Sequence, residues 1–159
     1  MEGVMLDRFD TLILDIWQQW GDIGPQGMSE KVNLSASQCS RRMQRLRSEG
    51  YVRNISAVLD VAKIKIGVRA YVLLTMHSHS ADCLKRFRDA IMAMDEVQEC
   101  QTLTGGYDVI LKVSTCDLTT FNQFLNENLL SMPEVSTAHS SIVLDDIKST
   151  TNLTLKYSE

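Results

Sequence analysis

Apolar residues in the first part of the chain recur with the spacing of an amphipathic helix. They predict a first helix over residues 6–20, whose buried side is formed by Leu6, Phe9, Leu12, Ile13, Ile16, Trp17 and Trp20. Glycine and proline residues then interrupt this pattern, as expected for a connector. A second, short helix is predicted over about residues 26–32, and Asn33 and Leu34 are predicted to form the turn after it.

A third helix is predicted from its own start and stop signals. Ser35 and Gln38 have the spacing of a capping box, in which the side chain of each residue binds the backbone N–H of the other. Gly50 is the type of residue that ends a helix by adopting the left-handed conformation. The third helix is therefore expected over residues 36–49.

The two sides of this third helix differ in chemistry. A narrow apolar stripe, which predicts the buried side, contains Cys39, Met43 and Leu46. The opposite side, its outward face, carries Ser37, Gln38, Arg41, Gln44, Arg45 and Ser48. Arginine matches guanine edges and phosphates, and glutamine matches adenine, so this face suits a DNA major groove. The alternative is a solvated helix that happens to be rich in arginine.

The charge of this region favours DNA over the solvated alternative. Residues 36–53 hold five arginines and a single acid, Glu49, whereas surface helices usually mix Lys, Glu and Arg. Residues 1–53 are therefore predicted to form a helix-turn-helix DNA-binding domain. Its candidate DNA contacts are Ser37, Gln38, Arg41, Arg42, Gln44 and Arg45.

The residues that follow the third helix predict extended structure. Tyr51 and Val52, together with the apolar residues from Ile55 to Leu59, predict a short wing or exit strand. We expect residues 54–67 to form a hinge strand or linker, and residues 68–159 to form a second domain.

From residue 68 the pattern becomes strand, helix, strand, strand, helix, strand. Strands are predicted over residues 68–76, 97–104, 108–113 and 135–144. One helix is predicted over residues 81–94, and another between an Asp117 N-cap and Pro133. This order is that of an α+β, ferredoxin-like βαββαβ domain, whose antiparallel sheet is covered by helices on one face. Residues 153–157 are predicted to add a terminal edge strand.

The second face of the predicted sheet also needs a partner. The strands carry apolar residues at many successive positions rather than in strict alternation. A sheet covered on one face only would leave part of this apolar surface in water. We therefore predict a homodimer that forms by packing of one sheet against another.

Composition and charge narrow the class of protein. The 159 residues are 44% hydrophobic, which is enough to bury a core, and the net charge is −4. Residues 1–53 hold equal numbers of basic and acidic residues, so the net negative charge lies in residues 54–159. This distribution argues against a protein that coats nucleic acid nonspecifically, but not against a local basic helix. Because the sequence shows neither a signal peptide nor an apolar run of membrane-spanning length, we expect a cytoplasmic protein without a membrane partner.

The sequence predicts no metal site and no catalytic site. Its cysteines and histidines are too scattered for a zinc site, and they are Cys39, Cys83, Cys100, Cys116, His77, His79 and His139. No glycine-rich phosphate loop, nucleophile elbow or paired-carboxylate motif is found. We therefore expect no cofactor and no enzyme activity.

Five segments, in this order and spacing, resemble the Lrp/AsnC family, the feast/famine regulators. They are LDRFDTLIL (6–14), VNLSASQCSRRMQRLRSEGYV (32–52), VQEC (97–100), TGGYD (104–108) and LSMPEV (130–135). The resemblance implies an N-terminal winged helix-turn-helix that binds double-stranded DNA, joined by a hinge strand to a ligand-sensing α/β domain. It also implies dimers that assemble into octamers or related rings, with amino acids as effectors.

The resemblance places an effector site at the loop formed by Thr104, Gly105, Gly106, Tyr107 and Asp108. It places a second wall on the last strand, where the candidate residues are Ser136, Thr137, Ser140 and Asp145. Glycine backbone N–H groups can hold the carboxylate of an amino acid, and Asp108 can pair with its ammonium group. Taken alone, the same residues describe an ordinary hairpin.

The sequence departs from the family pattern in both domains. Ala36 and Gln38 stand where proline is common at the start of the recognition helix, which predicts an altered helix start. Ala138 and Ser140 stand where threonine is frequent, with His139 between them, so the identity of the effector is not carried over from the family.

Two classes of function remain open. The sequence predicts a DNA-binding transcriptional regulator whose assembly or DNA affinity responds to a small amino acid. The competing class is an amino-acid-binding regulatory protein that acts through protein partners. The face that carries Arg41 and Arg45 distinguishes them, because the second class would not need it.

Overall fold

The computed structural model describes residues 6–155, which form two compact units. The N-terminal unit comprises residues 6–58 and 148–155, and the C-terminal unit comprises Leu59–Ile147. Within the described residues, no helix has both the length and the apolar character needed to cross a membrane.

The N-terminal unit contains the three predicted helices. They are α1 (Arg8–Gln19), α2 (Pro25–Val32) and α3 (Ala36–Ser48). The turn between α2 and α3 is made by Asn33, whose φ of +55° places it in the left-handed region. The helices enclose a core whose buried members are Ile13, Trp17, Met28, Val32, Cys39, Met43 and Leu46. The predicted helix-turn-helix arrangement is thus confirmed.

Local capping explains where α3 begins and ends. The side chain of Ser35 accepts a hydrogen bond from the Gln38 N–H, and the Gln38 side chain accepts one from the Ser35 N–H. Gly50, at a φ of +83°, takes the left-handed conformation just beyond the helix. Both predicted signals are confirmed, and together they satisfy backbone groups that the helix leaves unpaired.

Two predictions for the N-terminal unit are wrong. Residues 51–60 contain no strand, and Val58 and Leu59 are 90% and 63% exposed. A wing or exit strand needs a neighbouring strand for its hydrogen bonds, and none of the described strands pairs with this segment. The buried side expected for the first helix is also wrong in part. Trp20 is 55% exposed at the end of α1, where the Lys31 ammonium approaches its ring, and Phe9 and Leu12 are each 38% exposed.

The C-terminal unit has the predicted βαββαβ order. Its elements are β1 (Val68–Met76), α4 (Ala81–Ile91), β2 (Val97–Thr102), β3 (Val109–Thr115), α5 (Leu118–Gln123) and β4 (Val135–Ile142). α5 is N-capped by the Asp117 side chain and continues as a π-helical segment, Phe124–Leu129. The strands lie in the order β2-β3-β1-β4, and all pairs are antiparallel. This is the ferredoxin-like topology.

The two faces of the sheet differ in burial. Along β1, Val68, Ala70, Val72, Leu74 and Met76 are buried in the core, and their alternation is regular. The other side of β1 and β3, which we call the open face, carries Arg69, Tyr71, Leu73, Thr75, Ile110 and Lys112. The expectation of apolar residues at successive positions thus holds only in part, because the open face mixes apolar and charged side chains.

The described part of the tail lies on α1 rather than on the sheet. The Gln18 side chain donates to the Leu153 carbonyl at 2.9 Å and accepts from the Leu153 N–H at 2.8 Å. These are the backbone groups that a neighbouring strand would have paired, so the predicted edge strand is wrong for residues 153–155. The remainder of that prediction, residues 156 and 157, lies outside the described residues.

We predict that Gly67→Ala destabilises the C-terminal unit by about 1–3 kcal/mol, because a Cβ atom there would lie 2.3 Å from the Cys116 carbonyl oxygen. Gly106→Ala is the matched control, since among the described residues no atom beyond its two chain neighbours lies within 4 Å of the added Cβ. Urea denaturation followed by circular dichroism measures the difference. Equal stability of the two variants would contradict the close approach at Gly67.

Candidate functional site

The outward face of α3 presents one unpaired arginine. Arg41 is exposed, and among residues 6–155 no carboxylate forms an ion pair with its guanidinium. Ser37 and Gln44 are exposed on the same face. Gln38 is exposed as well, but its side-chain oxygen is used by the capping box, 3.0 Å from the Ser35 nitrogen. Arg41 is therefore the cation of this face that is free to bind an anion.

The other two predicted arginines are held by carboxylates from the start of α1. Arg42 Nη1 lies 2.7 Å from Asp7 Oδ2 and 2.6 Å from Asp10 Oδ1. Arg45 Nη2 contacts the second oxygen of Asp10, whose side chain is only 1% exposed. Arg42 also lies over the ring of Phe9. Both arginines thus link α3 to α1 in addition to facing outward.

The ionisation of this cluster follows from its contacts. Burial alone would raise the pKa of Asp7, but hydrogen bonds from the Asp10 N–H and from Arg42 lower it below its usual value. Burial likewise works against the charge of Arg42, but hydrogen bonds to Asp7 and Asp10 raise the pKa of this guanidinium. Asp7 and Arg42 therefore remain a charged pair at neutral pH.

Asp10 is the residue of this site that the sequence interpretation missed. It has the helical spacing of the apolar stripe of α1, between Leu6 and Ile13 and in line with Trp17. A carboxylate in the middle of a buried stripe requires a cationic partner. The position of Asp10 in this stripe was the available signal, and the arginine-rich third helix was a candidate source of its partner.

A second candidate site lies at the 104–108 loop between β2 and β3. Gly105 has a φ of +120°, a conformation that L side chains rarely adopt. The loop is closed by a hydrogen bond from the Leu103 N–H to the Asp108 carbonyl, at 2.8 Å. The Asp108 N–H in turn donates to the Leu74 carbonyl, which attaches the loop to β1.

The Asp108 carboxylate is fixed by two neighbours. It accepts a hydrogen bond from the Met76 N–H at 2.7 Å, and its other oxygen lies 2.8 Å from His79 Nε2. The hydrogen bond with His79, and then that from Met76, lower the pKa of Asp108 below its usual range. The carboxylate is therefore ionised at neutral pH and remains partly open to solvent.

The structure brings part of the predicted second wall to this loop. The ring of Tyr107 contacts the ring of His139 edge to face, with centroids 5.6 Å apart. The Thr137 hydroxyl bonds the Thr75 hydroxyl at 2.6 Å. Ser136 lies in the irregular step of β4 opposite the end of β1, the end that also contacts Asp108.

Two predicted residues are not brought to the loop within one chain. Ser140 pairs with Val72, so it lies on the opposite side of the sheet from Thr137 and His139. Asp145 follows the end of β4, beside Asp146, whose carboxylate binds Arg69 at the far end of β1 from Asp108. His79 and His139 were not predicted as members of the site. The signal for His79 was its position just after the predicted strand 68–76, and that for His139 was its position within the predicted last strand, between Ala138 and Ser140.

Comparisons with protein families give a consistent result for both units. The model of the AsnC-type helix-turn-helix domain matches residues 6–47. The model of the Lrp/AsnC ligand binding domain matches residues 69–153, which is more than half of the chain.

Individual proteins show the same similarity over nearly the whole chain. A leucine-responsive regulatory protein from Klebsiella pneumoniae is 29% identical, over 97% of this chain and 94% of its own length. A transcriptional regulator from Neisseria meningitidis, solved as a complex with L-methionine, is 34% identical with a TM-score of 0.92 and coverage of 96% and 98%. An AsnC family transcriptional regulator from Agrobacterium tumefaciens is 32% identical with a TM-score of 0.89 and coverage of 96% and 99%.

The contacts of α3 predict different effects for its arginines on stability. Arg45→Ala should destabilise the N-terminal unit by about 1–3 kcal/mol, because the buried Asp10 loses a partner. Arg41→Ala should change stability by less than about 0.5 kcal/mol. Both tryptophans of the chain, Trp17 and Trp20, lie in this unit, so their fluorescence during urea denaturation reports its unfolding. Equal midpoints for the two variants would show that Arg45 does not hold Asp10.

Proposed function

This chain belongs to the Lrp/AsnC family and is a helix-turn-helix transcriptional regulator, and from that premise we propose which of its residues bind DNA and effector. The DNA contacts are made by the outward face of α3, and the effector is a free amino acid bound at the 104–108 loop. The proposal assigns the protein two binding activities and no catalytic one. Its place of action is the cytoplasm, where DNA and free amino acids occur together.

The observation that carries the DNA assignment is the exposed and unpaired Arg41. Its guanidinium can make a bidentate pair with a guanine edge, which is the commonest specific contact in the major groove. Ser37 and Gln44 flank it with hydroxyl and amide groups that suit bases or phosphates. Gln38, Arg42 and Arg45 are also assigned to this face, where the N–H donors that the capping box, Asp7 and Asp10 leave unused can bind base edges.

The effector assignment is supported by a charged group and a permissive backbone in one loop. Asp108 offers an ionised carboxylate to an ammonium group, and Gly105 and Gly106 allow close approach of a ligand to the backbone. Gly106 in particular has no atom within 4 Å of where a Cβ would stand. The structurally similar regulator from Neisseria meningitidis was solved with L-methionine, so methionine is the first amino acid to test.

The remaining predicted effector residues divide into two groups. Thr104, Tyr107, Ser136 and Thr137 belong to the proposed site within one chain, because they lie in the loop or at the same end of the sheet. Ser140 and Asp145 can belong to it only if a second copy of the chain supplies them.

We also propose that the chain forms a homodimer through the open face of the sheet, and that dimers assemble into an octamer or a related ring. Tyr71 is 43% exposed on this face, and Leu73 and Ile110 pair across it. Lys112 pairs with Glu99 at 3.0 Å, so the charges on this face are partly compensated before a partner packs on it. Residues 54–67 are proposed as the linker between the DNA-binding and effector-binding domains.

Arg41→Ala should weaken binding to a selected operator by about 1–3 kcal/mol if its guanidinium is bidentate to a base. Arg88→Ala is the control, because this residue is an exposed arginine on α4 in the other unit. The affinities of both variants are measured by fluorescence anisotropy at several salt concentrations. The DNA is the duplex that wild-type protein recovers from a random library. Operator affinity that survives Arg41→Ala unchanged would refute the assigned face.

Asp108→Asn should abolish the thermal shift that an amino acid produces in the wild type, because the ammonium group loses its counter-charge. Asparagine keeps an oxygen for the Met76 N–H, so the loop itself should remain folded. Asp89→Asn, an exposed carboxylate on α4, is the control for the loss of one charge. The screen uses the twenty amino acids, beginning with methionine. The proposed sensor is wrong if none shifts the wild type, or if Asp108→Asn responds as the wild type does.

A further inference from the structure

Two of the three arginines on the DNA side of α3 are already paired with carboxylates. Arg42 lies between Asp7 and Asp10, and Arg45 contacts Asp10. We propose that Asp7 and Asp10 determine DNA specificity by withholding Arg42 and Arg45 from general phosphate binding. This inference rests on the proposed function, because it requires that α3 lies on DNA.

The ion pairs of Arg42 and Arg45 are stronger competitors than a passing phosphate. Asp10 is 1% exposed, and the side chains of Arg42 and Arg45 are only 27% and 36% exposed. Ion pairs that are shielded from water are screened less by salt than those at the surface. A phosphate that approached either arginine would also have to leave the buried Asp10 carboxylate with fewer partners, which is costly. The buried Asp10 therefore retains both guanidinium groups when nonspecific DNA approaches, and the half-exposed Asp7 adds a second partner for Arg42.

Unpaired arginines bind DNA of any sequence through its phosphates. Each phosphate that a protein neutralises adds attraction that does not depend on sequence, and this attraction supplies nearly all nonspecific binding. A helix with three mobile arginines would therefore bind random DNA strongly. With two of them paired, one unpaired guanidinium, that of Arg41, remains on the face. Asp7 and Asp10 thus lower the affinity for random DNA more than the affinity for the operator.

Asp7 and Asp10 could also serve only as structural support, and the two roles differ in their effect on DNA binding. Carboxylates that only hold α1 and α3 together would, when removed, lower operator and random-DNA affinity by the same factor, through loss of folded protein. Carboxylates that withhold arginines would, when removed, raise the affinity for random DNA. The two roles therefore predict opposite changes in nonspecific binding.

The experiment uses the full chain with Asp7→Asn and Asp10→Asn. Asparagine is as good an N-cap as aspartate, so Asp7→Asn keeps the start of α1 and changes only the charge beside Arg42. Asp15→Asn is the matched control, because it removes one charge from the same helix where the carboxylate binds Gln18 and Gln19 rather than arginine. The probes are a random-sequence duplex and the duplex that wild-type protein recovers from a random library.

We expect both test variants to bind the random duplex more tightly than Asp15→Asn does, and to show a smaller ratio of specific to nonspecific affinity. The plot of log affinity against log salt should steepen by about 0.9 for each arginine that gains a phosphate. Asp10→Asn should give the larger change, because Asp10 contacts both Arg42 and Arg45. Tryptophan fluorescence checks folding, and if Asp10→Asn is unfolded, Asp7→Asn decides.

The inference is overturned if the specificity ratio and salt slope of Asp7→Asn and Asp10→Asn match those of Asp15→Asn. It is also overturned if operator and random-DNA affinities fall together in folded protein. Arg41→Ala distinguishes these outcomes from failure of the proposed function. If Arg41→Ala weakens operator binding while the aspartate variants behave as the control, α3 binds DNA but its specificity does not come from Asp7 and Asp10.

Discussion

The buried carboxylate of Asp10 is the contact on which the N-terminal unit depends. A carboxylate that is removed from water is tolerated only when cations and hydrogen-bond donors surround it. Asp10 finds two guanidinium groups, and both come from α3. The same contact therefore packs α3 against α1 and determines which arginines α3 presents outward. The side chain of Asp10 thus couples the stability of the helix-turn-helix to the chemistry of its proposed DNA-binding face.

A carboxylate also organises the proposed effector site in the C-terminal unit. Asp108 joins the start of β3 to the end of β1 through the Met76 N–H, and it reaches the segment before α4 through His79. A ligand ammonium at Asp108 would contact a carboxylate that is already bound to Met76, at the end of β1, and to His79, before α4. Binding at the proposed site would therefore act directly on the contacts that join β1, β3 and the segment before α4.

Several surfaces of the single chain support the proposed homodimer. The open face of the sheet mixes Tyr71 and Leu73 with charged residues, and Val58 and Leu59 stand exposed without a pairing strand among residues 6–155. Apolar side chains in such positions gain stability when a second copy covers them. The separation of Ser140 and Asp145 from the 104–108 loop has the same implication, since residues from another copy would be needed to complete the predicted wall.

The sequence by itself determined the features that depend on neighbours within a few residues. The capping box of Ser35 and Gln38, the turn at Asn33 and the order of helices and strands were all predictable, because helical spacing and caps act locally. Tertiary structure alone decided which arginines are free, since Arg45 contacts Asp10, which lies 35 positions away in the sequence. It also decided where the tail lies, since Gln18 binds Leu153, which lies 135 positions away. Such contacts depend on packing between distant segments, and hydrophobic periodicity contains no information about that packing.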